Sequence, residues 1–259
     1  MRNWEGFKIR VLKRCILFSL VWILLVGCSS INKDYDFIKV VDRNIEHVHG
    51  LGYTGEKDEL FIATHEGLVK YSEGTWYETT SNNHDYMGFQ ATDDGFYSSG
   101  HPEKDTEFKN PLGLIKSTDE GKTFEKVDFY GESDFHFMAV GYYSHDYYVI
   151  NEQPNSKLYV GLFYSGNNGK TWSASRLSGL TSNSISKIAT HPTRRGPVGI
   201  STKDGLFYSS DNGKNFDLVT NRVMVTSLYF EEESLLYTSL EEGKARMYDL
   251  RIYDRKRSE

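Results

Sequence analysis

Two cysteines occur in the 259 residues, Cys15 and Cys28, and both fall in the first 28 positions. Nothing beyond Cys28 therefore offers a thiol for a disulfide, a cysteine-ligated zinc or a cysteine nucleophile. Burial alone must hold the folded part together, which roughly 220 residues can supply. Helical periodicity is also lacking: no stretch of useful length repeats apolar residues at the helical spacing. Alternating segments dense in aromatic and β-branched residues prevail instead. Arginine is absent between Arg43 and Arg176. No long hydrophobic run exists either. Cys15 to Val26 is apolar apart from Ser19, well short of the roughly 20 residues that span a bilayer as a helix.

That short run has informative flanks. Lys8, Arg10, Lys13 and Arg14 precede it, and Leu25-Val26-Gly27-Cys28 follows it. A basic region, an apolar region and a small residue before a cysteine, in that order, form a bacterial lipoprotein signal. Residues 1–27 are expected to be removed and Cys28 to take the lipid, including palmitate-type acyl chains that anchor the chain outside the cytoplasm. The competing reading keeps the segment as an uncleaved anchor. Residues 28–34 then form a tether, 35–253 the folded body, and 254–259 a charged tail expected to fray. Losing the signal, with five basic residues and one acid, shifts the formal charge from −6 to −10. Such a balance argues against nucleic acid and against a polybasic hold on anionic lipid.

One pattern repeats. Ser117, Asp119, Gly121 and Phe124 recur as Ser165, Asn167, Gly169 and Trp172, and again as Ser209, Asp211, Gly213 and Phe216. A Gly-Leu-apolar lead precedes each, at Gly113, Gly161 and Gly205, and a shortened copy runs from Gly67 to Trp76. These glycines stand 46, 48 and 44 residues apart, and Gly243 opens a decayed fifth copy. Asp or Asn at the third position accepts backbone N–H groups in a tight turn, while the glycine supplies positive φ. The motif is thus structural by default.

Each period reads as four strands. In the first these are 46–53, 59–64, 67–71 and 76–80; in the second 86–92, 95–99, 113–117 and 124–129. Later periods begin near 135–142, 185–190 and 223–230. Four strands per period of about 45 residues predict a propeller blade, hence an all-β propeller of five blades, with six as the rival count. The fifth period lacks an outer strand, and Phe37 to Val41 is expected to supply it and close the ring.

Blade topology sorts residues by face. Connections between blades and the loops between second and third strands share one rim; the repeated turns lie on the other. His47, His49, His65, His101 and His136 fall on the first rim, with Glu66, Asp85 and Asp134 close by in sequence. The expectation is a metal or ligand site, since imidazole suits zinc, copper, nickel or iron and carboxylates can orient it. The plain alternative makes these side chains polar caps on backbone carbonyls. His84 is peripheral on that rim, and His145 and His191 belong to the other face. The insertion His101 to Pro111 is the longest loop there. Tyr86, Tyr142, Tyr143, Tyr147 and Tyr148 either stack on sugars or fill space between blades.

The repeat resembles the Asp-box, or BNR, repeat of sialidases, sortilin-type receptors and the photosystem II assembly factor. The strings at 47–51, 63–68, 99–102, 110–119 and 134–136 resemble a bacterial family of secreted BNR-repeat lipoproteins that carries a glycosyl hydrolase label. The resemblance implies a propeller in an extracytoplasmic setting. Sialidase chemistry needs three arginines clamping a carboxylate, and the arginine distribution disfavours it. The expected role is a monomeric, membrane-anchored module that binds an envelope protein, a glycan or a metal. The alternative is a glycosidase-like hydrolase using rim carboxylates or a metal, with Glu46 and Glu152 as further candidates. Replacement of Cys28 by serine is expected to abolish incorporation of labelled palmitate and release the protein from membranes. A labelled, membrane-bound Cys28→Ser variant would contradict the assignment.

Overall fold

The computed structural model describes residues 34–252 apart from 42–43 and 56–57, together with Arg257–Ser258. Cys28, the signal and most of the tether lie outside the described residues. Every described element is a strand, and no described helix is long and apolar enough to cross a membrane.

The strands form five antiparallel sheets arranged as a β-propeller. Blade one holds β1 (Phe37–Val40), β2 (Gly50–Tyr53), β3 (Leu60–Thr64), β4 (Gly67–Ser72) and β5 (Thr75–Thr79). Blade two holds β6 (Asp85–Thr92), β7 (Gly95–His101), β8 (Leu114–Ser117) and β9 (Glu125–Asp128). Blade three holds β10 (Met138–Val140), β11 (Tyr147–Asn151), β12 (Gly161–Ser165) and β13 (Ser173–Ala174). Blade four holds β14 (Ile185–Thr190), β15 (Val198–Thr202), β16 (Gly205–Ser209) and β17 (Asp217–Leu218). Blade five holds β18 (Met224–Phe230), β19 (Ser234–Glu241), β20 (Lys244–Arg251) and β21 (Arg257–Ser258). The first strand of each blade is innermost except in blade one, where β2 takes that place.

The repeated turns join the third and fourth strands of blades two, three and four. The Ser117 hydroxyl accepts the Gly121 N–H at 2.8 Å and donates to Asp119 Oδ1 at 2.9 Å. Asp119 Oδ1 also accepts the Thr123 N–H at 2.8 Å. Ser165 and Asn167 repeat the arrangement on Gly169 and Thr171, and Ser209 and Asp211 on Gly213 and Asn215. In each turn both the glycine and the residue before it have positive φ, as at Asn212 (60°) and Gly213 (72°). Side-chain acceptors thus satisfy the N–H groups that such a backbone takes out of the ladder. Partial burial pushes the Asp211 carboxyl up, but hydrogen bonds from the Asn215 N–H, the Asn215 amide and Ser209 outweigh it and hold the group down at about 2.

The turn aims its last residue into a junction between blades. Phe124 packs with Phe61, Leu68, Tyr86 and Phe96 between blades one and two. Trp172 packs with Phe129, Phe135 and Tyr147 between blades two and three, and its Nε1 donates to Asp128 at 2.9 Å. Phe216 joins Leu162, Ile188 and Phe207 between blades three and four. A fourth cluster around Leu228, Phe230 and Tyr248 fills the junction of blades four and five. Inner strands meet so closely that side chains have no room: a Cβ on Gly88 would sit 2.3 Å from the Phe135 carbonyl. Tyr86, Tyr147 and Tyr148 are buried in these junctions, as fillers rather than as a stacking platform.

The expected closure does not occur. β1 pairs with β5 from Phe37↔Thr79 to Val40↔Trp76, so it adds a fifth strand to the outer edge of blade one. Phe37 packs edge-on against Phe61 at 6.0 Å, and Lys70 Nζ lies 4.4 Å over its ring, which fixes the strand there. The outer strand of blade five comes from the tail, where Arg257 and Ser258 pair with Leu250 and Asp249 rather than fraying. Among the described residues no apolar cluster joins blade five to blade one.

His84 is fully buried between Phe108 and Phe124. Its Nδ1 accepts the Glu103 N–H at 2.9 Å, and burial lowers its pKa to about 4. The unfolded chain binds a proton near pH 6.5 that the folded chain refuses until about 4. This contribution is therefore complete above pH 6.5 and falls by about 3 kcal/mol as pH drops toward 4. Denaturant midpoints between pH 7 and 4 are expected to fall less for His84→Gln than for wild type; parallel curves would contradict the burial argument. In the same assay Ser209→Ala is expected to cost about 1–2 kcal/mol, because it strands the Gly213 N–H. A neutral Ser209→Ala would deny the turn its role.

Candidate histidine-rich rim

The loops that lead into β2, β6 and β10, with those that leave β3, β7 and β11, open on one rim. His65 and Glu66 occupy the β3–β4 loop, Asp85 begins β6, and His101 ends β7. Asp134 and His136 lie between β9 and β10, and Glu152 follows β11. His47 and His49 precede β2 instead of lying within it. His47 has φ 54°, so this segment is a loop and its approach to His65 does not come from strand alternation.

Two groups assemble. In the first, His49 Nε2 lies 3.1 Å from His65 Nε2, and His65 Nδ1 lies 2.7 Å from Asp85 Oδ1. The His47 ring stands 5.3 Å from that of His65. His49, His65 and Asp85 lie close enough together to share an ion. In the second, His101 Nε2 is 3.3 Å from Asp134 Oδ2, and His136 Nδ1 is 3.8 Å from the same oxygen and 3.2 Å from Glu152 Oε2. His101 Nδ1 meets Asn110 Oδ1 at 2.7 Å. Asp85 and His101 are cross-strand partners, so the groups are neighbours. The side chains of His65, His101 and His136 remain 41 %, 40 % and 39 % exposed, open to a solute.

Burial, followed by the charge of neighbouring His65, lowers the His49 pKa; Lys187 and His136 act the same way and Asp85 opposes them. A neutral ring keeps a lone pair for a ligand. Asp85 Oδ1 stands beside His65 Nδ1, where a carboxylate can orient the ring, and the His65 Nε2 faces His49. Lys187, on inner strand β14, donates to the His49 carbonyl at 2.9 Å from across the centre. Burial pushes its ammonium down. Beside the first group lies a cleft of about 700 Å³ lined by His65, Glu66, Asp85, His101, Glu103 and Lys104.

The sequence reading did not anticipate Lys187 or Asn110. Lys187 is a lone cation in the strand Ile185–Thr190, a signal open to notice. Asn110 closes the insertion begun by His101, which only the folded loop reveals. The other histidines stand apart. His145, on the Asp-box face, lies 2.7 Å from Asp93 and 3.8 Å from Asp94, which also pairs with Lys116. His191 accepts from Arg194. Arg194 and Arg195 sit in the β14–β15 turn, away from the rim, where they bond the carbonyls of Glu232 and Gly166.

Fold and rim together define a blade-repeat propeller with a histidine and carboxylate mouth. The Sortilin-Vps10 family model (Sortilin, neurotensin receptor 3) matches residues 113–256, more than half of the chain. The chain belongs to that family. No curated protein matches it. Among solved structures it is similar to the GH74 xyloglucanase of Xanthomonas campestris, with 15 % identity and a TM-score of 0.56, over 86 % of this chain and 39 % of that one. A GH74 enzyme of Niastella koreensis gives 18 % identity and 0.57, over 86 % and 38 %. The extracellular domain of a one component system from B. thetaiotaomicron gives 13 % and 0.55, over 88 % and 29 %. The chain thus spans less than two-fifths of each of these proteins, and at such identities the likeness is one of fold.

Proposed function

We propose that this chain is a lipid-anchored, extracytoplasmic binding module that holds a transition-metal ion at His49 and His65 and presents it beside the cleft to an envelope protein or glycan. One observation carries the reading: two imidazole Nε2 atoms face each other at 3.1 Å, with Asp85 behind the second ring at 2.7 Å. Metal–imidazole bonds of about 2.0–2.1 Å at a tetrahedral angle separate two donor nitrogens by about 3.4 Å, so little movement is needed. Asp85 supplies the outer partner that fixes ring orientation and tautomer. Zinc, copper, nickel or iron suits this donor set. The lipoprotein signal supports the setting, and the acidic balance supports a partner other than nucleic acid. A monomer suffices, since one chain supplies every group named.

The hydrolase reading draws on a different observation. Asp134 and Glu152 both approach His136 Nδ1, so their carboxylates lie within about 7 Å of each other. That upper bound admits the separations at which glycosidase pairs work. Each carboxylate is nevertheless engaged by a histidine, which favours cation binding over protonation of a glycosidic oxygen. The GH74 likeness adds only the fold.

The full chain in detergent, stripped of metal and titrated with zinc, is expected to bind it, and His49→Ala/His65→Ala to lose one equivalent. Asp85→Asn is expected to weaken that equivalent roughly 10–100-fold. A folded wild type that takes up no zinc would contradict the proposal.

A further inference from the structure

We propose that the cleft at the rim end of the seam between blades three and four docks a segment of a partner polypeptide, which puts an apolar side chain into the cleft and a lysine or arginine on Glu152. The inference rests on the reading of the chain as a binding module and narrows its partner to a protein. It uses no residue of the metal position.

The seam between blades three and four is closed in its depth and open at the rim. Leu162, Ile188, Ile200 and Phe207 are buried in it. Ile150, Leu177, Leu180 and Ile185 pack on the same cluster but are only partly buried, because they line a cleft of about 270 Å³. Leu177 has a φ of 58°, a region that leucine seldom adopts. Its N–H donates to the Gly213 carbonyl at 3.0 Å, which keeps that wall in place.

The chemistry of the lining selects the class of occupant. Its polar side chains are those of Asn151 and Glu152. Asn151 is buried, and its amide is committed to the carbonyls of Gln153, Leu158 and Tyr159 at 2.6, 3.3 and 3.1 Å. A sugar would bring hydroxyls that such walls leave unpaired, which is costly. The volume also falls below the roughly 300–1,000 Å³ of small-ligand pockets, so an apolar side chain is the occupant that fits. Glu152 is the one charged residue of the lining; its side chain is 49 % exposed, with Oε2 3.2 Å from His136. A basic residue next to the apolar one complements that carboxylate, and the acidic balance of the whole chain favours the same partner.

The loop between β11 and β12 is built to be met. Besides the Asn151 bonds, Asn155 Oδ1 accepts the N–H groups of Lys157 and Leu158 at 3.0 and 2.8 Å, and the Asn155 amide donates to Ser133 Oγ at 2.8 Å. A loop fixed in this way nevertheless holds Tyr159 and Val160 62 % and 58 % exposed. Val160 is part of the cleft wall. The Tyr159 ring is held edge-on to Phe163 at 4.9 Å. Apolar anchors on a loop already ordered lose little freedom when a partner covers them.

The test is selection from a library of acetylated, amidated hexapeptides randomised at every position, against the full chain in lipid nanodiscs, followed by fluorescence-anisotropy titration of the selected peptides. Wild type is expected to select an apolar residue beside lysine or arginine. Val160→Asp, at an exposed position, and Leu180→Asp are each expected to weaken those peptides at least 10-fold. Glu152→Lys is expected to exchange the basic preference for an acidic one, an outcome that misfolding cannot produce. His49→Ala/His65→Ala is expected to bind the peptides as wild type does. Peptides that bind both aspartate variants as tightly as wild type, or that lose binding only with the two histidines, would overturn the cleft assignment and leave the binding-module reading standing. Selection of no peptide, or native mass spectra showing a lipid retained by wild type and lost in Leu180→Asp, would overturn it as well, while the metal position stands or falls on its own zinc titration.

Discussion

A serine hydroxyl that accepts the N–H of a glycine four residues later is the contact on which the rest of the molecule depends. It allows the chain to place two successive residues at positive φ without stranding buried donors. That sharp turn delivers Phe124, Trp172 or Phe216 into the seam between its own blade and the preceding one. A sheet of four short strands cannot bury both faces alone. The aromatic wedge makes each blade part of its neighbour's core, and stability passes from blade to blade.

This stacking explains why the rim can be polar. The apolar work is done in the seams and the staples lie at the opposite end, so the rim loops are released from packing duties. They carry histidines and carboxylates in pairs. His65–Asp85 links blades one and two, and His101–Asp134 links the second strand of blade two to the entry of blade three. Lys187 draws blade four toward the same point through the His49 carbonyl. Six separated stretches of sequence thus meet at one mouth. Among the described residues no apolar cluster spans blades five and one, and such crossings add cohesion to the ring.

The sequence carried the repeat, the blades and the face on which each histidine lies, because those follow from period-two alternation and from the order of connections. It was legible that His65 and His101 share a rim. It was not legible that His65 pairs with His49 and His101 with Asp134, because pairing depends on loop conformations such as the positive φ of His47. The placement of β1 was misjudged for a related reason. An isolated four-residue strand fits either edge blade by pattern, and what decides is Phe37 meeting Phe61 under Lys70, a long-range contact. Arg257 and Ser258 read as a charged tail because their pairing uses backbone groups, which leave no trace in residue type.

The central claim is that His49 and His65 are ligands of one metal ion, with Asp85 holding the second ring. X-ray absorption at the zinc edge tests it most directly, on full-length protein loaded with one equivalent. The account predicts imidazole scattering from nitrogens at about 2.0–2.1 Å, which weakens when His65 is replaced by alanine. A spectrum dominated by oxygen, or one unchanged in His65→Ala, would contradict it.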